Sequence, residues 1–184
     1  MDDDTRWTIH GERVIDNSRR AVLSVASVEL PDGVRFEQHV LRVPRSATVV
    51  VLDDADRVLL LHRHRFVIDR WVWELPGGYL DPGEEPEVAA AREVLEETGW
   101  RAKSIEPLGS FQPMTSMIDS ENYLFLARGA DDTGQARDVN EAASIAWMDL
   151  DEAIRLSETG EIAGAGSIIG LLKAAAILTR KRVN

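Results

Sequence analysis

The sequence of 184 residues contains no cysteine. This absence excludes disulfide bonds, a thiolate zinc site and a cysteine nucleophile. It is also typical of proteins in a reducing compartment, so we expect a cytoplasmic protein. The first residues, Met-Asp-Asp-Asp-Thr-Arg, lack the apolar core of a signal peptide. No run of apolar residues approaches the roughly 18 that indicate a membrane span, so we expect no membrane partner.

Positive charge is also scarce. The chain has 21 Lys and Arg residues against 32 Asp and Glu residues, for a net charge of −11 and a pI of about 4.8. Such a chain is repelled by nucleic-acid phosphates and by anionic membranes, so we expect no nucleic-acid partner. If its substrate is a polyanion, the protein needs metal cations or local arginines to bind it.

The most informative segment runs from Gly78 to Trp100. It has the pattern Gly-x5-Glu-x7-Arg-Glu-U-x-Glu-Glu-x-Gly-U, in which U is a bulky apolar residue. Between Pro86 and Thr98 there is no internal Gly or Pro, and Ala, Glu, Leu and Arg dominate, which favours a helix. Pro86 is typical of a first helical turn, and Gly99 is typical of the position just past a helix end. The pattern therefore predicts a glycine turn followed by a helix over 86–98.

Three carboxylates share one face of this predicted helix. Glu93, Glu96 and Glu97 stand at positions i, i+3 and i+4. Like charges at this spacing repel one another and weaken a helix, so something has to offset the repulsion. Hard divalent cations prefer oxygen ligands, and Mg²⁺ is typically held by a few carboxylates and substrate phosphates. We therefore expect Mg²⁺ or Mn²⁺ here; the alternative is a solvated acidic face.

The segment resembles the Nudix box, and every fixed position of the box matches. The resemblance implies a metal-dependent hydrolase that cleaves a diphosphate attached to a nucleoside. It implies an α/β fold, the α/β/α sandwich with a mixed sheet. It also implies that Glu93 and Glu97 are the principal metal ligands, that Glu96 binds a metal or orients a metal-bound water, and that the carbonyl of Gly77 adds a ligand. On this basis Glu96 and Glu97 are candidate catalytic residues.

Other box positions are expected to support the structure. Arg92 and Glu84 are predicted to form an ion pair that fixes the loop on the helix. Gly78 allows close backbone approach at the turn, and Gly99 ends the helix. The apolar helix residues expected in the core are Val88, Val94 and Leu95.

Hydrophobic content of 44% is enough for a core, and the length suggests one domain with a small appendage. Residues 1–45 are predicted to form an N-terminal β meander, a small antiparallel subdomain, and residues 46–184 the main domain. The later strands are expected at 47–52, 57–65, 71–75, 102–111, 122–127 and 143–148. A short helix is expected after Asp149 as N-cap, and a last amphipathic helix from Ser167 to about Thr179.

Three features resemble the ADP-ribose pyrophosphatase branch of the family. They are the N-terminal meander, the arginine at the end of a strand and the Glu-Leu-Pro-Gly-Gly segment at 74–78. The resemblance implies a homodimer joined through the N-terminal strands, with Arg65 near the substrate diphosphate. It also implies that Glu141 is a catalytic glutamate in a late loop. We predict Glu74 and Phe36 as further substrate-binding residues, with Phe36 or Trp7 stacking on adenine.

Several alternatives stay open at this point. Glu141 is the first candidate for the general base and Glu96 the second, but Glu141 could equally be a solvated loop acid. Arg65 could be a surface charge at a strand end. The loop 111–121 lacks the glycine typical of the branch, so the leaving group could be another sugar or a small group. The first expectation is hydrolysis of ADP-ribose to AMP and ribose 5-phosphate. The alternatives are a nucleoside triphosphate pyrophosphohydrolase and a non-catalytic nucleotide-sensing module.

Overall fold

The computed structural model describes residues 5–135 and 142–183. Within these residues the chain forms two compact units. The first contains the residues up to Pro44 together with Gln112–Glu121, and the second contains Arg45–Phe111 and the residues from Asn122 onward. The sequence led us to expect an N-terminal unit of residues 1–45 alone. In the structure, residues 112–121 also belong to the first unit.

Eleven strands and three helices are present in the described residues. The strands are β1 (Thr8–Asp16), β2 (Val22–Glu29), β3 (Arg35–Arg42), β4 (Ser46–Leu52), β5 (Arg57–Arg65), β6 (Arg70–Glu74), β7 (Gly77–Tyr79), β8 (Trp100–Phe111), β9 (Ile118–Asp119), β10 (Asn122–Asp132) and β11 (Ser144–Asp149). The helices are α1 (Pro86–Thr98), α2 (Leu150–Thr159) and α3 (Ala165–Val183).

The first unit is a four-stranded sheet in the order β1-β2-β3-β9. The first three strands pair antiparallel, as the meander predicts. Between β2 and β3 the chain turns at Gly33, whose φ of 86° favours glycine. Strand β9 adds a short parallel pair, in which Ile118 lies opposite Leu41. Sequence patterns did not predict β9, because two residues are too few to show an alternation.

The second unit contains a seven-stranded sheet with the order β11-β5-β4-β10-β8, in which β6 pairs with β5 and β7 with β4. Strands β4 and β10 are parallel, and the other pairs are antiparallel. Helix α1 packs on one face, and α2 and α3 pack on the other. This is the α/β/α sandwich with a mixed sheet that the sequence predicts.

Strand β4 forms the centre of the core. Val49 and Val51 face α1, whereas Val50 and Leu52 face α2 and α3. All four side chains are fully buried. A strand covered on both faces needs apolar residues at successive positions, which explains its continuous apolar run.

Helix α1 begins at Pro86 and ends at Thr98, as predicted. Gly99 follows with a φ of 75°, and its N–H donates to the carbonyl of Leu95 at 2.8 Å. Val94 is buried in the core, but Val88 is 58% exposed, so its core prediction is wrong. Six residues at 3.6 per turn rotate Val88 by roughly 240° from Val94, onto another face.

The two remaining helices lie near their predicted positions. Helix α2 follows Asp149, but the side chain of Asp149 makes no capping hydrogen bond. Helix α3 begins two residues before Ser167 and buries Leu171 and Ala174 against the sheet. No helix among residues 5–135 and 142–183 combines the length and the apolar content needed to cross a membrane.

Candidate active site

Strand pairing in the second unit brings the charged residues together. Strands β5 and β6 form an antiparallel pair in which Leu61 lies opposite Glu74. Arg63 and Arg65 alternate with residues of the other sheet face, so both arginines lie on the same side of β5. Strand β7 then pairs with β4 and leads through the glycine turn toward α1. The end of β5, the end of β6 and the box helix therefore meet.

Close packing surrounds both glycines of this turn, with backbone atoms at Gly77 and the carboxylate of Glu93 at Gly78. A methyl group at Gly77 would overlap the carbonyl oxygen of Ala47 and lie 2.8 Å from Thr48 Cα. A methyl group at Gly78 would lie 2.5 Å from Glu93 Cδ. The backbone of the turn therefore lies directly against a carboxylate of α1, which agrees with the expectation that Gly78 allows close approach.

The predicted pair of Arg92 and Glu84 is present. Arg92 Nε donates to Glu84 Oε1 at 2.9 Å, and Nη2 donates to Oε2 at 2.8 Å. Nη2 also donates to the carbonyl of Tyr79 at 3.1 Å. These bonds, with the amide of Asp81, lower the pKa of Glu84 to about 2. The pair joins the loop after the glycine turn to the helix.

The same guanidinium contacts two of the three helix carboxylates. Arg92 Nη1 donates to Glu93 Oε1 at 2.8 Å and to Glu96 Oε2 at 3.0 Å. Glu93 is largely buried, whereas the side chain of Glu96 is 59% exposed. One positive charge between two carboxylates offsets part of the repulsion expected from their spacing.

The third carboxylate, Glu97, is buried. Its Oε1 accepts a hydrogen bond from Arg63 Nη2 at 2.6 Å, and its Oε2 accepts one from the N–H of Gly77 at 2.8 Å. Burial raises the pKa of Glu97 to about 7, and the charge of Glu93 adds to the increase, while Arg63 and the Gly77 amide oppose it. Glu97 is therefore held rigidly in a place where its negative charge is costly.

These residues fit a divalent cation by chemistry. Glu93, Glu96 and Glu97 supply hard oxygen donors on one face. A cation would relieve the repulsion from Glu93, which adds to the effect of burial in raising the pKa of Glu97. No group of three or more His, Cys, Asp and Glu side chains in the described residues is itself arranged to hold a metal ion. The oxygens that a cation would use are shared with Arg92 and Arg63.

Arg65 and Glu74, both predicted from sequence, lie in direct contact. Arg65 Nε and Nη2 donate to Glu74 Oε2 at 2.9 and 2.6 Å. The side chain of Arg65 is half exposed, and that of Glu74 is largely buried. Glu74 therefore orients a guanidinium that also faces solvent.

The sequence did not predict Arg63 as part of the site. Its Nε lies 3.4 Å from Glu74 Oε2, in addition to its bond with Glu97. The only sequence signal was its alternation with Arg65 along the strand. That pattern also describes a polar strand face, so burial could not be predicted from it.

Two predicted residues are not among those described in the second unit. Phe36 lies on β3 in the first unit, where its ring packs edge-on against Trp7 with centroids 5.6 Å apart. Its role in substrate binding stays a prediction. Glu141, the first candidate for the general base, lies outside the described residues.

Comparison with known proteins agrees with this geometry. The family model of the NUDIX domain matches residues 42–167, more than half of the chain. The chain belongs to the Nudix family, whose members generally use divalent metal ions. Hydrolases among its relatives support a Nudix diphosphatase, so the alternative of a non-catalytic sensing module is set aside.

Two curated relatives and one solved structure illustrate the similarity. A CMP-5'-(N-acetyl-N-hydroxy-3-aminopropyl)phosphonate hydrolase from Streptomyces rubellomurinus is 48% identical over 91% of this chain and 81% of that protein. An ADP-ribose pyrophosphatase from Bacillus subtilis is 30% identical over 76% of this chain and 77% of that protein. The crystal structure of an ADP compounds hydrolase, 21% identical, covers 96% of both chains with a TM-score of 0.82 and supports the fold.

Proposed function

We propose that this enzyme hydrolyses the anhydride between a nucleoside 5′-phosphate and a second phosphoryl or phosphonyl group. The observation that carries the proposal is the pairing of the buried Glu97 with Arg63, next to the Arg65–Glu74 pair. The second unit thus contains both the carboxylates that would hold a cation and the Arg65 guanidinium that would bind phosphate oxygens. Water attacks one phosphorus, the bridging P–O bond breaks, and a nucleoside monophosphate is one product.

Two specific substrates fit this class. ADP-ribose, giving AMP and ribose 5-phosphate, is the substrate named for the Bacillus subtilis relative. A cytidine monophosphate joined to a phosphonate is named for the relative with 48% identity over 91% of this chain. The second candidate is compatible with the altered 111–121 loop, from which the sequence left open another sugar or a small group as the leaving group.

The cation is proposed to be Mg²⁺ or Mn²⁺, held by the carboxylates of Glu93, Glu96 and Glu97 and by the carbonyl of Gly77. When bound, it neutralises phosphate charge and lowers the pKa of bound water. Glu141 or Glu96 is proposed to accept the proton of the attacking water.

Arg65 is proposed to bind two oxygens of the diphosphate. A planar guanidinium makes two parallel hydrogen bonds to such a group, which an ammonium does not reproduce. Glu74 holds the Arg65 side chain in place before the substrate arrives, so less ordering is needed on binding. Arg65→Lys should therefore raise KM, and Glu141→Gln should lower kcat.

A screen of substrates tests the proposal. ADP-ribose, a CMP anhydride of an alkylphosphonate, other nucleoside diphosphate sugars and the triphosphates should each be assayed with Mg²⁺ and with Mn²⁺. We expect an anhydride between a nucleoside monophosphate and a second group to give a higher kcat/KM than any triphosphate. A triphosphate that reacts fastest, with release of pyrophosphate, would instead support the nucleoside triphosphate pyrophosphohydrolase.

A cytoplasmic location stays a prediction from the sequence.

A further inference from the structure

Arg63 and Glu97 are the two charged residues that are buried among the described residues. Arg63 is 7% exposed and Glu97 is 3% exposed. They bond to each other at 2.6 Å across 34 positions of sequence. A buried charge is costly unless it is paired, and removing one partner leaves the other uncompensated. Each residue therefore depends on the other for its place in the core.

Arg63 also lies between two parts of the proposed site. Its Nη2 bonds to Glu97 Oε1, and its Nε lies 3.4 Å from Glu74 Oε2. Glu74 in turn accepts hydrogen bonds from Arg65. A chain of contacts thus connects Glu97, the proposed cation ligand, to Arg65, the proposed phosphate-binding arginine. It runs from Glu97 through Arg63 and Glu74 to Arg65.

The contacts of Glu97 fix the plane of its carboxylate. One oxygen accepts from Arg63 and the other from the N–H of Gly77. A carboxylate has about four acceptor positions, so each oxygen retains a lone pair whose direction these two donors determine. Groups that orient metal ligands in this way commonly alter metal affinity or activity by roughly 10–100-fold when they are removed.

We propose that Arg63 is a positioning residue: it orients the carboxylate of Glu97 for the cation and holds Glu74 beside Arg65. This inference rests on the proposed metal-dependent function. A flexible ammonium cannot make the same divided contact, because the geometry uses two separate nitrogens of one planar group. The role therefore requires the guanidinium fork, and positive charge alone is not sufficient.

The test measures Mn²⁺ binding to the purified full-length protein by electron paramagnetic resonance, without substrate, and then kcat and KM. Arg63→Met removes both contacts while keeping a long side chain, and Arg63→Lys keeps the charge without the fork. Arg57→Met is the matched control, because Arg57 begins the same strand and pairs with Asp53 at 2.7 Å on the surface.

We expect the Kd for Mn²⁺ to rise by about 10–100-fold in Arg63→Met, with a smaller rise in Arg63→Lys and none in Arg57→Met. The KM for the substrate should rise as well, because Glu74 loses a partner. If Arg63→Met does not fold by circular dichroism, Arg63→Lys gives the answer. An Mn²⁺ Kd that stays the same or falls in the folded variant contradicts the inference.

Glu97→Gln in the same binding assay separates this inference from the proposed function. If Glu97→Gln binds Mn²⁺ like the wild type, the ligand assignment itself is wrong. If Glu97→Gln binds more weakly while folded Arg63 variants bind normally, only the positioning role of Arg63 is wrong.

Discussion

Arg92 and the backbone amide of Asp81 determine the charge state of Glu84. The bonds from Arg92, together with the N–H of Asp81, lower the pKa of Glu84 from an ordinary 4.5 to about 2. Because the folded-state pKa is lowered, the ionised form stabilises the fold at any pH above about 4.5. That contribution is lost as pH falls from about 4.5 to about 2, where the folded protein also binds the proton.

Glu84→Gln should therefore remove a contribution that depends on pH. We expect the difference in free energy of unfolding between wild type and variant to be constant at neutral pH and to shrink below pH 4.5. Urea unfolding from pH 7 to pH 2 measures it, with the exposed Glu106→Gln as control. An unchanged difference down to pH 2 would show that Arg92 does not hold the ionised carboxylate.

At the same scale, Glu97→Gln tests the central carboxylate. The variant keeps the shape of the side chain but removes its negative charge. In the wild type both oxygens of Glu97 accept hydrogen bonds. We expect kcat of the folded variant to fall by at least about 100-fold, the upper end of the effect seen when supporting groups are lost. The variant should also be less stable than the wild type, because Arg63 loses its buried charged partner. Turnover at the wild-type rate by a correctly folded variant would rule out Glu97 as a ligand.

At the scale of elements, the glycine turn connects β7 to β4 and to α1. Gly77→Ala should destabilise the protein by about 1–3 kcal/mol, because its methyl group meets backbone atoms that cannot rotate away. Gly164→Ala is the matched control, since a methyl group there would meet ordinary contacts at 3.8 Å. Urea unfolding of both variants measures the difference. Equal stabilities would mean that the turn moves easily away from β4.

Elements governed by local signals were predicted well from the sequence. Helix α1 has the predicted bounds because Pro86 and Gly99 act within their own turns. Features that depend on distant partners were not predicted. The buried Arg63 pairs with Glu97, which lies 34 positions later in the sequence. Strand β9 forms by pairing with β3, which is also distant in the sequence. Neither partner is visible in the local pattern.

The candidate site also contains contacts that local sequence predicts and contacts that depend on distant partners. The carboxylates of α1 and the pair of Arg92 with Glu84 follow from spacing along one helix and its loop. The contact between Arg65 and Glu74 joins residues of the paired strands β5 and β6 that do not lie opposite each other, because Glu74 lies opposite Leu61 and Arg65 opposite Arg70. Local sequence alone does not determine such a contact. The sequence therefore predicted which residue types belong to the site, while the strand pairing determines their partners.

At the scale of the whole molecule, strand β1 is an unusual surface. All nine of its residues are exposed, and among the strands that the structure describes it pairs with β2 alone. Ile9 is 68% exposed and Val14 is 54% exposed. An edge strand with free backbone groups and exposed apolar side chains favours pairing with another chain. We therefore propose that residues 7–43 join two copies of the protein.

Light scattering at micromolar concentration should then report about twice the chain mass of 20.5 kDa. Ile9→Lys should shift the mass toward the monomer, because a charge at the joined edge opposes pairing. Val88→Lys is the matched control, since Val88 is 58% exposed on α1 of the second unit, and the mass of this variant should stay that of the dimer. A wild-type protein that scatters as a monomer would exclude the homodimer, and with it any role for Phe36 across a dimer interface. A dimer that persists in Ile9→Lys would instead place the interface outside β1.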